Sequence, residues 1–594
     1  MKKWLSLSLI AALLLPLLTA CAGPENETPS GEEGLALRVC AAAGQRSADP
    51  LEAVQAGGDT LLFHLYENLM RWEDDGTGHA VLVPGAAESV ATEESYDGSV
   101  TYTFTLRRDA KWSDGKALTA KHFLYTWRRL FELEDTPAVV SKLYMVEGYF
   151  DAKREKNGAL LTGVSAPDQY TFVITLTGHY AYFLDEFCAG GLTMPVREDM
   201  VKKYGAAWGQ KAEAVITNGP YQLSSMSGGE VTVERNRYYH SPKAEGPETI
   251  TFVPLESAQR DGGEQAYSQV ESGELNFLTG LPQSVVSLRS GEGTLEVEPV
   301  PATCGLLMNG AAEPFDNEFV RKALAAVVDQ EALTAAMGDP TLSAATGFVP
   351  WGISNRDNEW SVAEPVQQEP AVVLPEDLIN GAQAEQPEET FWDYRAVGDY
   401  GSTKAGEDRE TQVAGAKLLM SQGGYPNGEN FPEVELLYVD TPQNEAAARY
   451  LQNVWKTTLN VAVTPRGLSE TEARELLLSG EYTMAVFRFD AAFDDALAFL
   501  HRWQGKFGPK DGNLVSYADR AYDLLLSVVS ASSDSAREAC LHDAEELLLS
   551  AKSVVPLFYY GTTSALSEEL TGVYRKAGGA YFFDGVRLVE EESE

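Results

Sequence analysis

Apolar and polar positions alternate along this chain in two rhythms, one with the period of a strand and one with the period of a helix. Val100 to Leu106 (VTYTFTL) and Thr171 to Leu176 (TFVITL) repeat every second residue, which predicts half-buried strands. Helical spacing predicts helices over Thr119 to Leu133, Asn317 to Met337 and Asp519 to Ser530. Another is predicted over Glu410 to Gly424, where Ala414, Leu418 and Leu419 precede a Gly-Gly stop. Strand and helix candidates alternate through the second half, so β-α-β units are expected there. Trp112-Ser113-Asp114-Gly115 places turn formers after a strand, and Asp114-Gly115 suits a tight turn needing positive φ. Thr119 then reads as the N-cap of a helix whose apolar face is Phe123, Leu124, Trp127 and Leu130. Trp112, Trp127 and Trp208 are expected in the core, and Arg321 is expected to tie a helix to a loop. From Ser361 to Thr390 there are seven acids, four prolines and no Lys or Arg, which predicts a solvated insertion over 361–390. No fixed-period repeat is visible.

At 594 residues the chain exceeds the roughly 250–300 that one core supports, so several domains are expected. A hydrophobic share of 44% supplies large cores and excludes a disordered chain. With 46 Lys and Arg against 88 Asp and Glu, the net charge of −42 repels phosphate backbones, and no basic subdomain offsets it, so nucleic acid is excluded as a partner. Lys2 and Lys3 precede an apolar stretch from Trp4 to Leu18, interrupted by Ser6, Ser8 and Pro16. This predicts a signal peptide over 1–20 rather than a membrane span. Leu18-Thr19-Ala20-Cys21 resembles the bacterial lipobox, which makes Cys21 the expected site of lipidation. Residues 21–34 are rich in Pro, Gly and Glu and read as a flexible tether. The body is therefore expected at the extracytoplasmic face of the cell membrane, held by lipid, and in the periplasmic space if the cell has an outer membrane. Cys40, Cys188, Cys304 and Cys540 are scattered without metal spacing and read as small buried hydrophobes, with one disulfide possible. The seven histidines form no HExxH or His-x-His pair, and GxSxG, GxxxxGK[ST] and GxGxxG are absent, so the sequence gives no metal site, cofactor or catalytic motif. A Ser/His/Asp site assembled from distant segments would escape this scan.

A resemblance rests on several blocks in fixed order. Tyr96 to Leu130 (YDGSVTYTFTLRRDAKWSDGKALTAKHFLYTWRRL) resembles the signature of the extracytoplasmic peptide-binding lipoproteins of ABC importers, the oligopeptide/dipeptide/nickel-binding family. Leu65-Tyr66-Glu67-Asn68-Leu69 resembles the family's LYEGL, Thr217 to Tyr221 its TGPY, Glu234-Arg235-Asn236 with Tyr238-Tyr239 its RNPxYW, and Glu271 to Leu275 its SGEID. Met308-Asn309, Pro314-Phe315-Asp316 and Val320 to Leu324 resemble N…PPFxDxxVRxAL, and Ala544 to Leu548 with Val555-Pro556-Leu557 resembles the terminal helix and strand. Coverage runs from about 35 to 585, and KKYGAAWGQ…ITNGPY leans toward the oligopeptide branch.

The resemblance implies an α/β, two-lobed periplasmic-binding-protein-like fold (type II, cluster C) with an additional domain in the first lobe. Lobe I is expected over 35–67, 177–304 and 563–594, the additional domain over 68–176, and lobe II over 305–562. It implies a monomeric solute receptor, not an enzyme, that captures a peptide between lobes and presents it to ABC permease and ATPase subunits. In oligopeptide members the ligand adds as a β-strand between the lobes, so main chain is read rather than side chains. The segment Tyr482 to Leu500 carries the site: if it is extended, Val486, Arg488, Asp490 and Ala492 share one face, with Phe487 and Phe489 on the other. The family reads GWxADYxxP here, and its Asp holds the peptide's α-amino group. That Asp falls on Ala492, its Trp on Phe489 and its Pro on Ala496, so Asp490, Asp494 or Asp495 is left to take the amine, while Arg488 and Asp490 pairing only with each other is the competing reading. The facing strand matches Gly44-Gln45-Arg46, where Gly44 would permit close approach and Arg46 could face a carboxylate, with a plain surface turn as the competing reading. Asn218 and Gly219, near the crossing strands, are candidates for the cleft wall or for a structural turn, and Asn444 is placed near the peptide C-terminus. Other readings stay open: a non-peptide solute such as a nickel chelate, sugar or opine-like compound, a cell-surface peptidase, or a signalling receptor with no permease.

Overall fold

In the computed structural model, the described residues are 34–42, 47–55, 59–133, 138–243, 245–254, 263–350, 353, 409–491, 493–529, 534–576 and 579–589. Cys21, Gly44, Gln45, Arg46, Ala492 and the expected insertion 361–390 lie outside them.

Two six-stranded sheets organise the chain. The first runs, in spatial order, Ser564–Leu566, Phe277–Thr279, Ala36–Ala42, Thr249–Pro254, Glu230–Arg235 and Tyr221–Ser227. Alternation along Ala36–Ala42 sends Leu37, Val39 and Ala41 into the largest core, whereas Cys40 turns to the opposite face and packs with Val270 and Val285 from the helices Glu264–Glu271 and Gln283–Glu292. The second sheet runs Leu342–Ala344, Val554–Thr562, Glu298–Met308, Met484–Asp490, Val434–Val439 and Val463–Leu468. Its last three strands are parallel and linked through the helices Pro442–Leu459 and Glu470–Ser479, the β-α-β units that the alternating pattern predicts. Leu306, Leu436, Met484 and Val486 fill the core on one face, and Leu307, Leu437, Ala485, Phe487 and Phe489 fill the other.

The chain crosses between the sheets at two places. Thr563 alone separates Val554–Thr562 of the second sheet from Ser564–Leu566 of the first. Its carbonyl accepts from Gly280 N at 2.7 Å and its Oγ1 from Leu281 N at 3.1 Å, which binds the two crossings together. Strand Glu298–Met308 pairs in the second sheet from its first residue, Glu298 against Thr562, so the boundary expected between 304 and 305 falls inside a continuous strand.

Strands Val100–Leu106 and Thr171–Leu176 pair antiparallel in a four-stranded sheet with Ala87–Glu94 and Val164–Ser165. This unit shares its core with the first large sheet. The Gly115 turn closes with φ +82°, and Thr119 caps the helix Ala120–Arg129, its N–H donating to His122 Nδ1 at 3.0 Å. Trp112, Trp127 and Trp208 are buried. The single helix expected over 317–337 is two, Glu318–Ala325 and Gln330–Met337, because Asp329 accepts from Ala332 N and starts a new helix. Arg321 donates to the carbonyls of Phe315 and Ala551. Cys40, Cys188, Cys304 and Cys540 are buried, and no disulfide joins any two of them. Among the described residues no helix is long and apolar enough to cross a membrane.

Candidate functional site

Strand Met484–Asp490 is paired along its whole length on one side, from Ala302 against Asp490 to Met308 against Met484. On the other side Val434–Val439 covers only Met484, Ala485 and Val486. Phe487 to Asp490 therefore present a strand edge that no described strand occupies. Backbone amides and carbonyls at such an edge are a template for an added strand.

Arg488 and Asp490 project from one face of this edge. Arg488 Nε and a terminal nitrogen donate to Asp490 Oδ1 at 2.8 and 2.6 Å, with 42% and 59% of the side chains exposed. The guanidinium lies 4.2 Å from the centre of the Tyr560 ring. Burial disfavours the Arg488 cation, but the Asp490 carboxylate overrides it and holds the group above its ordinary value. Beneath the pair, burial pushes the Cys304 thiol up to about 12, so it remains a thiol at neutral pH. The face thus carries a cation and an anion satisfied by each other.

Beyond the edge, the chain reaches the first lobe. Phe493 stacks on Tyr182 with centroids 4.0 Å apart and an angle of 19° between rings. Glu186 accepts from Asp494 N at 3.4 Å and from Lys576 Nζ at 3.2 Å. Burial disfavours the Lys576 cation, but Glu186, Asp494 and Asp59 together hold it above its ordinary value, and burial raises the Asp59 carboxyl. Glu298 closes the base, with Arg575 at 2.6 Å, Tyr581 Oη at 3.1 Å and Ser564 Oγ at 3.1 Å. The edge, the loop after it and the crossing strands therefore meet in one place between the lobes.

Three candidates from the sequence have their side chains committed elsewhere. Phe489 is 1% exposed among Phe348, Phe487 and Trp503, on the face away from Arg488, because successive residues of a strand point to opposite sides. Asn218 is buried, accepting from Glu67 N at 3.3 Å and donating to Glu67 O at 2.7 Å. Asn444 closes the start of helix Pro442–Leu459 by donating to Val439 O at 3.1 Å, beside the Cys304 thiol at 3.9 Å. Gly219 completes the turn with Asn218, and a Cβ there would lie 2.7 Å from Leu65 C and Tyr66 N. Tyr182, Glu186, Phe493, Tyr560 and Lys576 were not found from the sequence, because they come together from segments hundreds of residues apart and share no spacing.

A cavity of about 120 Å³ lies within the first lobe, lined in part by Glu67, Arg71, Trp72, Tyr239, Tyr574 and Asp584. Its charges pair internally: Glu67 meets Arg71 at 3.1 Å, Tyr239 Oη at 2.5 Å and His240 Nε2 at 2.6 Å, and Lys243 meets Asp584 at 3.3 Å. Among the described residues no group of three or more His, Cys, Asp or Glu is placed to hold a metal ion.

The sequence model of the bacterial extracellular solute-binding proteins, family 5 middle, matches residues 81–511. The oligopeptide-binding protein OppA of Bacillus subtilis (strain 168) is 23% identical over 98% of this chain and 98% of its own. Among solved structures, the unliganded open form of the periplasmic murein tripeptide binding protein MppA superposes with TM-score 0.73 and 22% identity, over 94% of this chain and 98% of that one. Haemophilus influenzae OppA in complex with RPPGFSPFR gives 0.65 and 23%, over 94% and 100%. These structures share the two-lobed, type II periplasmic-binding fold, with its additional domain on the first lobe, seen here.

Proposed function

Because the chain belongs to the bacterial extracellular solute-binding proteins of family 5, whose members are binding proteins of transporters and not enzymes, we propose that it captures peptides between its two lobes. The observation that carries this reading is the edge at Phe487–Asp490 that no described strand occupies, next to a cation and an anion on one face. A peptide laid there as an added strand is held by its amides, which favours a peptide over a sugar or a chelate. Asp490 takes the ammonium and Arg488 a carboxylate, each exchanging its present partner for a ligand charge, so neither is left unpaired. The ligand stabilises the closed arrangement only by its differential affinity for it, and leaves unaltered. The acyl group on Cys21 tethers the receptor at the extracytoplasmic face of the membrane, where it presents its ligand to the permease of an ABC importer.

Amide hydrogen exchange with and without a peptide mixture tests the site. Protection is expected within 487–490, and Asp490→Ala is expected to weaken binding by about fivefold or more, the loss of one charge-assisted bond, with the melting temperature of the empty protein unchanged. Equal binding by that variant, or protection confined to other segments, would remove this edge from the site.

A further inference from the structure

The face of the edge opposite Arg488 also carries charge. Phe487 and Phe489 lie 5.5 Å apart there, and a guanidinium sits beside each: Arg474 at 5.7 Å from the Phe487 ring and Arg502 at 5.4 Å from the Phe489 ring. Arg474 comes from helix Glu470–Ser479, and Arg502 from the short turn His501–Trp503. Distance along the sequence gave no sign that they converge.

Their charges are poorly matched. One terminal nitrogen of Arg502 donates to Ala498 O at 3.1 Å, while its Nε is buried with no partner, and among the described residues no carboxylate forms an ion pair with it. An unmade buried donor is costly. Arg474 reaches Glu470 at 3.2 Å, with both side chains more than half exposed, a pairing of small worth. The nearby acid, Asp490, is committed to Arg488. Burial weakens the hold of Arg502 on its proton, and the Arg474 cation acts in the same direction while Asp490 opposes both.

An added strand sends alternate side chains to opposite faces. Those over the Phe487/Phe489 face would be directed at Arg474 and Arg502. We infer that the ligand carries a carboxylate on this face, so that the receptor selects acidic peptides, with Arg502 reading the charge and Arg474 flanking it. This rests on the peptide reading above. The carboxylate supplies the acceptor that Arg502 Nε lacks, in a charge-assisted bond that a neutral isostere cannot match. It comes from an Asp or Glu side chain rather than from the C-terminus, which every free peptide carries.

Calorimetry on the full mature chain separates these sources. The probes are alanine peptides of roughly three to eight residues, long enough to pair as a strand, each with one Glu, Gln or Lys at successive positions and a free or amidated C-terminus. At one position Glu is expected to bind about tenfold more tightly than Gln, with Lys weakest. A loss on amidation with no preference for Glu over Gln instead assigns the carboxylate to the C-terminus and overturns the selection of acidic peptides. Arg502→Gln is expected to bring the favoured peptide down to its neutral counterpart. Arg474→Gln, at an exposed position and so safe for folding, is expected to cut the preference about threefold. Equal binding of Glu and Gln peptides at every position would likewise overturn the charge selection and leave peptide capture standing. If no peptide binds at all, capture itself falls and the inference with it.

Discussion

Glu545 is fully buried on helix Asp534–Ser550, and its Oε1 accepts from the backbone N–H of Phe348 at 2.5 Å and of Val349 at 2.9 Å, while Oε2 has no partner. Phe348 in turn packs edge-on against Phe489, beneath the proposed ligand strand. Burial raises the Glu545 carboxyl from 4.5 to about 7, although the two backbone donors oppose it. A carboxyl raised in the folded state contributes stability that is complete below its unfolded value of 4.5 and is lost as pH climbs through about 7. The full swing corresponds to roughly 3 kcal/mol. Partly buried His122 and His542, each held down to about 4 by desolvation, act in the opposite sense below neutrality, so the comparison must be differential. Denaturant unfolding of wild type and Glu545→Gln is expected to show the wild type gaining about 1–3 kcal/mol relative to the variant between pH 8.5 and 5.5. A pH-independent difference would show that Glu545 does not titrate in this range.

At the scale of elements, local pattern was legible and long-range pairing was not. Val100–Leu106 and Thr171–Leu176 occupy the residues their alternation marks, because one face of each meets the core and the other does not. The break after Ala325 was missed because Ala326 to Val328 keep the apolar character of the helix before them, and only the Asp329 side chain starts a new one. Nothing in Ala36–Ala42 itself shows that it lies between Thr249–Pro254 and Phe277–Thr279. The two asparagines illustrate the same limit, since a polar residue in a family block reads as a ligand contact until its partners are seen. Asn218→Ala would leave the Glu67 N–H and C=O buried without partners, so it is expected to cost about 1–3 kcal/mol of stability. Peptide affinity by calorimetry should stay within about twofold, since its hydrogen bonds serve the fold; a large loss of affinity with unchanged stability would return Asn218 to the cleft.

For the whole molecule, the family and its two-lobed architecture were legible because the motif blocks report turns, caps and core positions that the fold requires everywhere. The face of Arg488 and Asp490 was legible as well, since a strand's period of two needs no tertiary knowledge. The remainder of the site was not, because Tyr560, Lys576, Arg502 and Tyr182 are placed by two crossings and a sheet order that leave no trace in spacing. What those crossings create is a half-covered strand edge between lobes, and the account stands on its being filled by an intact peptide. Native mass spectrometry of the purified protein, followed by denaturation and sequencing of whatever is released, tests this most directly. The account predicts a stoichiometric mass that resolves into intact peptides, exchangeable for added peptide without any change of that peptide's mass. Release of cleavage fragments, or of a non-peptide solute alone, would contradict it.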